Sequence, residues 1–337
     1  MNHMEAFPSR RRSVAGAIMA AGIFALPLSA LADKTNPNPG CEVESVFYDP
    51  GTGQDVVVPE GYKIEVWAKD LNFPTDIAFV GDKRNFKAYV LESGTGLPSR
   101  CNNNAIVPGI DKFALNNPFT PDVLVFDMNG NKIAGPLGKP TPTGGGLQPD
   151  GPAIGLAFER GLAGGRLFVT DSNQGIRGAP GTGNNTSRIS TINPMTGVVT
   201  PFITGLPTGD HPTEQVLVNG KWIYWSQGSA TNNGVTGHDN GGPTGANQHE
   251  IACQDITLSD NTWDSGDGDI SSGYSPHGVA RPGAQVRAFE GATKAGMCTG
   301  AILRARIDVS NPSNTIEPYS WGYRNPYGIR FAPKDHP

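Results

Sequence analysis

Helical periodicity is missing from these 337 residues: no long amphipathic stretch occurs anywhere. Charge is scarce too. Asp, Glu, Lys and Arg make up 17% of the chain, too little for a solvated, disordered tail. Beyond Arg10-Arg11-Arg12 there is no basic run, and the formal net charge is −5, which argues against a nucleic-acid ligand whose phosphates demand a cationic face. His238, His249 and His277 lie in glycine-rich stretches without HExxH or paired zinc spacing. The acid-rich stretch "SDNTWDSGDGDISSG" lacks the spacing and closing glutamate of an EF-hand and reads as a surface loop. The chain also lacks a Gly-x-Ser-x-Gly elbow, a phosphate loop and a dinucleotide-binding glycine motif. These absences count against a zinc or serine hydrolase and against a nucleotide enzyme.

Cysteine is rare but even in number: Cys41, Cys101, Cys253 and Cys298. Their spacing suits neither zinc nor a CxxC redox pair. In an oxidising compartment they suggest two disulfides with three possible connectivities, of which Cys41–Cys101 and Cys253–Cys298 is the local one. The N-terminus points to such a compartment. Arg10, Arg11 and Arg12 precede an apolar stretch from Val14, broken at Pro27 and ending in the small-residue exit Ala30-Leu31-Ala32. That is the plan of a secretory signal peptide over residues 1–32, with cleavage before Asp33. The paired arginines loosely fit twin-arginine export, although Ser13 and Val14 match its usual apolar pair poorly. The mature protein is expected to be periplasmic or secreted, with a net charge near −7 once three arginines and one glutamate are removed. No second apolar segment is long enough to span a bilayer.

What is abundant is turn chemistry, with 45 glycines and 29 prolines, and short apolar bursts between the turns. One phrase recurs. Ile77-Phe79 leads to Ala88-Tyr89-Val90, and Ile154 to Phe158 leads to Leu167-Phe168-Val169. Val216-Leu217-Val218 passes through Asn219-Gly220 to Trp222–Trp225, and Ile329-Arg330-Phe331 opens the phrase again. Asn-Gly between two apolar runs is a strong hairpin signal. Further strands such as "PDVLVFDMNGN", "SRISTINPMTGVV" and "GAILRARIDVS" lie between these hairpins, and Ile64 and Val66 alternate ahead of the first. A repeated hairpin with one or two extra strands per unit is the signature of β-propeller blades, preferred here over a β-sandwich. The expected organisation is a signal peptide at 1–32, an N-terminal extension at 33–57, and a partial all-β propeller at 58–337.

Arg324-Asn325-Pro326 stands at the mouth of the fourth phrase. An arginine supplies paired planar donors suited to carboxylate and quinone oxygens. "GAILRARID" followed by "SWGYRNPYGIRFAP" resembles the glucose/sorbosone dehydrogenase family, soluble six-bladed propellers that use pyrroloquinoline quinone (PQQ). The resemblance runs from about Val58 to the chain end. It places the quinone-contacting pair on Arg324 and Asn325. "GLPTGDHPTEQVLVNGKWIYWSQGS" resembles the family's Asp-His segment, which implies a catalytic base at His211 and a substrate-binding acid at Asp210. "PDGPAIGLAFE" implies a further substrate contact at Asp150. The implied activity is oxidation of an aldose or sugar aldehyde, with hydride passing to PQQ, a proton to the histidine, and electrons to an unidentified acceptor. Calcium is implied as the ion that polarises the quinone.

The chain also departs from that family. Pro212-Thr213-Glu214-Gln215 follows His211 where glycines are common, and Gly228-Ser229 stands where sugar-oxidising members commonly show Gly-Asp. The family's later calcium and quinone ligands are not present, so an incomplete chain without its closing blades is expected. A non-catalytic propeller that binds carbohydrate or protein accounts better for Ser229 and for those ligands. A calcium-dependent lactonase would require inward carboxylates around one point.

Overall fold

Alternating apolar residues, punctuated by Asp, Asn and Gly turns, fold into antiparallel strands throughout. The computed structural model describes residues 57–69, 71, 73–93, 121–141, 145–148, 152–173, 186–232, 234–235, 250–264, 270–276 and 281–332. All of them belong to the second of two compact units, Met1–Thr35 and Asn36–Pro337. The signal peptide, most of the extension, Cys41, Cys101, Asp150, His238, His249 and His277 lie outside the described residues. No helix among the described residues is long and apolar enough to cross a membrane.

Three four-stranded antiparallel sheets carry the fold. The first is β1 (Pro74–Asp82), β2 (Asn85–Glu92), β3 (Asp122–Asp127) and β4 (Lys132–Leu137), paired in chain order. The second repeats that order with β5 (Ala153–Phe158), β6 (Leu167–Asn173), β7 (Thr186–Ile192) and β8 (Val199–Pro207). The third begins with β9 (Thr213–Asn219) and β10 (Trp222–Gln227). The chain then makes an excursion through two small pairs, β11 (Ile256–Thr257) with β14 (Gln285–Val286) and β12 (Trp263–Asp264) with β13 (Ile270–Ser271). It returns as β15 (Ala301–Arg306), which lies against β10, and β16 (Glu317–Trp321) forms the edge.

The central strands read as unbroken apolar runs because both their faces are covered. Between the first two sheets, Leu91, Val123, Leu147, Leu156, Leu167 and Val169 form one core. Between the second and third, Phe168, Ile189, Ile203, Ile223, Trp225 and Leu303 form a larger one. The outer face of the first sheet, at Val90 and Phe126, is covered by Trp67 and Leu71. Tyr89 and Phe158 meet edge to face across the first core, with centroids 5.0 Å apart.

The leading strands β1, β5 and β9 are joined to one another by side chains. Thr75 donates its hydroxyl to the Ala153 carbonyl at 3.0 Å, and Leu156 N donates to Asp76 Oδ2 at 2.7 Å. The Thr170 hydroxyl of β6 links β5 to β9, accepting from Gly155 N at 2.7 Å and donating to the Glu214 carbonyl at 2.6 Å. These strands therefore run beside one another, each opening its own sheet.

Three details differ from the sequence reading. In the β9–β10 hairpin Asn219 already pairs with Trp222, so the loop is Gly220-Lys221, one residue later than Asn-Gly. Gly220 alone takes positive φ there, 59°, as a hairpin with glycine at its first central position requires. Ile64 and Val66 alternate but join no strand; their segment is held where Trp67 packs on Phe126 and donates its indole N–H to the Met128 carbonyl at 3.0 Å. Ile329-Arg330-Phe331 likewise joins no strand among the described residues, and Phe331 packs edge to face on Tyr224, centroids 5.1 Å apart. Of the two local disulfides, Cys253–Cys298 is formed.

Buried acids make the fold's stability depend on pH. Asp122 faces Glu92 directly across β2 and β3, and burial together with the Glu92 charge pushes it up to about 8. Glu214 is pushed up to about 8 by burial, and Asp171 to about 6 by burial despite Arg188 at 2.6 Å. A raised acid holds a proton in the native state that the unfolded chain has shed, so its stabilisation is complete at low pH and lost as pH rises through the folded value. His211, lowered by burial, acts oppositely but only below about pH 6.5. The stability measured by urea unfolding, and with it the urea midpoint, is therefore expected to fall as pH rises between about pH 7 and 9. A midpoint that rises over this range would contradict the assignment.

Candidate functional site

His211 sits in the turn between β8 and β9, and backbone pairing fastens that turn to the chain beyond β10. Asp210 N donates to the Ala230 carbonyl at 2.9 Å, His211 N to the Ser229 carbonyl at 3.2 Å, and Gly228 N to the Pro212 carbonyl at 3.1 Å. The approach is close enough to require glycine at 228, where a Cβ would stand 2.3 Å from the His211 Cβ.

Ser229 decides the state of the imidazole. Its hydroxyl donates to the Thr231 carbonyl at 2.7 Å, so Oγ meets His211 Nδ1, 3.0 Å away, as an acceptor. The Ser229 carbonyl, 3.1 Å from Nδ1, can only accept. Both contacts therefore place the proton on Nδ1 and leave Nε2 as the lone-pair nitrogen. Burial pushes the His211 pKa below its usual value. The Ser229 carbonyl and the charges of Asp210 and Glu250 oppose that shift, and the Arg324 charge adds to it.

The same serine reaches the Arg-Asn-Pro turn, because Ser229 N donates to the Arg324 carbonyl at 2.8 Å. Arg324 Nε donates to the Asn232 carbonyl at 2.6 Å, and its Nη2 donates to Asn232 Oδ1. Among the described residues no carboxylate pairs with this guanidinium. An amide atom of Asn325 lies 2.6 Å from both carboxyl oxygens of buried Glu214. Asp210, His211, Arg324 and Asn325 are thus gathered around the start of β9 and the strand-like exit of β10, whereas Asp150 lies outside the described residues.

Beside them opens a cavity of about 410 Å³, whose wall includes Ser229, Glu250, Tyr274, Thr299, Tyr323 and Arg324. Glu250 is buried, accepting from Thr231 N at 2.8 Å, Thr231 Oγ1 at 2.6 Å and Thr299 Oγ1 at 2.5 Å. Burial, then the Glu250 charge, raises the Tyr274 pKa. No group of three or more His, Cys, Asp or Glu side chains converges on a metal position among the described residues.

Glu250 carries no signal in the sequence, because its partners Thr231 and Thr299 lie at opposite ends of the excursion. Ser229 registered only as a missing acid, and Glu214 only as a departure from glycine. The signal for Ser229 was its position directly after the glycine that lets His211 approach.

In comparison with known proteins, the chain matches no family model, no curated protein and no solved structure.

Proposed function

We propose that this chain is an exported, PQQ-dependent dehydrogenase of an aldose or sugar aldehyde, built on a propeller whose blades are the three four-stranded sheets. The observation that carries the reading is the His211 imidazole with Nδ1–H committed to Ser229, which leaves the lone pair on Nε2, and Arg324 joined to it through the same serine. Export is supported by the signal-like N-terminus and the Cys253–Cys298 disulfide. The side-by-side leading strands β1, β5 and β9 support the propeller arrangement.

PQQ, when bound, would supply a two-electron acceptor for the hydride leaving the anomeric carbon. Arg324 suits one of its anionic or carbonyl oxygens, because among the described residues Asn232 takes only Nε and Nη2 and leaves the donors on Nη1. Calcium finds no fitting set among the described residues, so no step is assigned to it. His211 Nε2 takes the hydroxyl proton as the substrate's C–H bond is lost, while Nδ1–H stays on Ser229. The imidazolium so formed is stabilised by the negative charges of Asp210 and Glu250. Asp210 and Asp150 are proposed to bind substrate hydroxyls.

One observation favours the non-catalytic carbohydrate- or protein-binding propeller. Arg324 and Asn325 are both engaged already, by Asn232 and Glu214. The lactonase reading has two acids near one point, Asp76 and Glu214: Tyr327 is raised first by burial and then by both their charges. Asp76 is, however, held by Leu156 N, Ile77 N, Gln215 and Arg330, and no third ligating side chain joins the two acids among the described residues.

Titration of the purified chain with PQQ, read by quenching of tryptophan fluorescence, decides between these readings. Saturable binding that Arg324→Ala weakens at least about tenfold, the worth of a charged hydrogen bond, together with aldose-dependent dye reduction, is the expected result. A chain folded by circular dichroism that neither binds the quinone nor reduces dye would leave the binding propeller.

A further inference from the structure

We propose that the cavity beside Ser229 is a carbohydrate subsite that takes one neutral pyranose unit. The inference goes beyond the dehydrogenase reading, since a propeller that binds sugar without turnover would use the subsite in the same way. It rests on that reading only in placing a quinone next to it, because Arg324 stands in the same wall.

The cavity, about 410 Å³, falls within the roughly 300–1,000 Å³ of small-molecule sites. Part of its wall is aromatic. Trp321 ends β16 and Tyr323 follows it, both close to half exposed. Their backbone is fixed: Trp321 pairs with Ala301, and Gly322 N and Tyr323 N donate to the Gly300 carbonyl at 3.1 and 3.0 Å. That approach needs glycine at 300, where φ is 61° and a Cβ would stand 2.3 Å from the Tyr323 carbonyl oxygen. The Tyr323 hydroxyl is held too, 2.8 Å from Ser320 Oγ. Another part of the wall comes from the excursion. Ala252, Cys253 and Ile256 make it apolar, and the Cys253–Cys298 bridge ties their segment to the entry of β15. The Tyr274 ring lies close against Gly234, where a Cβ would stand 3.0 Å from its Cδ2.

The polar groups in this wall select the ligand. The Tyr274 hydroxyl and the Gln254 amide have no hydrogen-bond partner among the described residues. Glu250 accepts two bonds at Oε1 and one at Oε2, so Oε2 keeps a lone pair. A hydroxyl, an amide and a carboxyl acceptor suit a ligand dense in hydroxyl groups, each of which both donates and accepts. A hydrocarbon would leave all three without a partner. Glu250 and Arg324 bring opposite charges to the same wall, which favours a neutral ligand over an ion of either sign. The C–H face of a pyranose suits Trp321 and Tyr323, whose rings join an apolar body to a polar edge. Ser229, whose Oγ lies 3.0 Å from His211 Nδ1, also belongs to the wall, so a sugar held here adjoins the proposed base. Under the dehydrogenase reading the subsite takes the unit next to the one oxidised, and the substrate class is a reducing di- or oligosaccharide.

Calorimetric titration of the full chain with methyl glucoside and methyl cellobioside tests the subsite without turnover, since neither has a free anomeric hydroxyl to oxidise. Saturable binding with a Kd of about 1 mM or tighter is expected. Trp321→Ala should weaken it roughly tenfold, the worth of an aromatic platform, and Tyr274→Phe by about threefold to tenfold, the worth of one hydrogen bond. Trp321 is half exposed on an edge strand, and phenylalanine keeps the ring of Tyr274, so both variants should fold, which circular dichroism checks. A folded chain that binds neither glycoside overturns the inference, as does binding that neither substitution weakens. Glycoside binding that both substitutions weaken, in a chain that neither binds PQQ nor reduces dye, would uphold the subsite and refute the dehydrogenase reading.

Discussion

The His211→Asn variant should lose aldose-dependent dye reduction by about 10²–10⁴-fold, the usual worth of a positioned general base. Asparagine can still place an amide N–H toward Ser229, so the turn and its backbone bonds to Gly228, Ser229 and Ala230 should survive. Quinone binding should change little, because Arg324 reaches Ser229 through backbone and not through the imidazole. Ser229→Ala should cost less, roughly tenfold, since the Ser229 carbonyl at 3.1 Å still accepts from Nδ1 and keeps part of the tautomer preference. The wild-type kcat/KM profile should rise through a value below the usual 6.5 of histidine, in the direction that burial imposes. Full activity of His211→Asn, measured by stopped-flow dye reduction, would remove the histidine from the mechanism.

Trp225→Ala should destabilise the protein by about 3–5 kcal/mol, the largest effect expected of any single core change here. Trp225 is fully buried on β10, where the second and third sheets meet, among Phe168, Val216, Ile223 and Leu303. Removing the indole leaves a cavity that stiff strands on either side cannot close. A loss of that size is a large share of the roughly 5–15 kcal/mol available to a natural domain. Trp225→Phe makes the sharper comparison. The indole N–H has no acceptor among the described residues, which carries a penalty of about 1–3 kcal/mol that phenylalanine escapes. Phenylalanine should therefore cost no more than about 1 kcal/mol, the lost area being offset by the lost orphan donor. Urea midpoints for the two variants, with circular dichroism to confirm the native fold, check both numbers.

The strand grammar was legible because it depends on local periodicity. Ile154 to Phe158 and Leu167 to Val169 pair across a glycine turn as alternation and turn chemistry require, and Cys253 and Cys298 join as neighbours in sequence. The edges of the phrases were less legible. Ile64 and Val66 alternate like a strand, yet their segment joins none, and its neighbour Trp67 packs on Phe126 instead. The candidate site was half visible. His211 and Arg324 stand out as residue types in turns, but their link through Ser229 depends on the exit of β10 curling back over the Asp-His turn. Glu250 and Glu214 were silent for another reason: a carboxyl acquires its special state from burial, and nothing in a linear sequence reports what Thr299 or Asn325 will cover.

The excursion between β10 and β15 also bears on the order in which the protein assembles. The first two sheets join strands in chain order, but Gln227 must find Ala301 across residues 228–300 before the third sheet exists. Closing a loop costs entropy that grows with the logarithm of its length, so this pairing carries the steepest entropic cost among the three sheets. The Cys253–Cys298 bridge, spanning 45 residues, ties the far part of the excursion to the residues just before β15. Oxidation ahead of sheet closure would shorten the effective loop by more than half and recover roughly 1 kcal/mol of that entropy. Because Ser229, Glu250 and Thr299 all belong to the excursion, the histidine's surroundings would be completed by the last sheet to form.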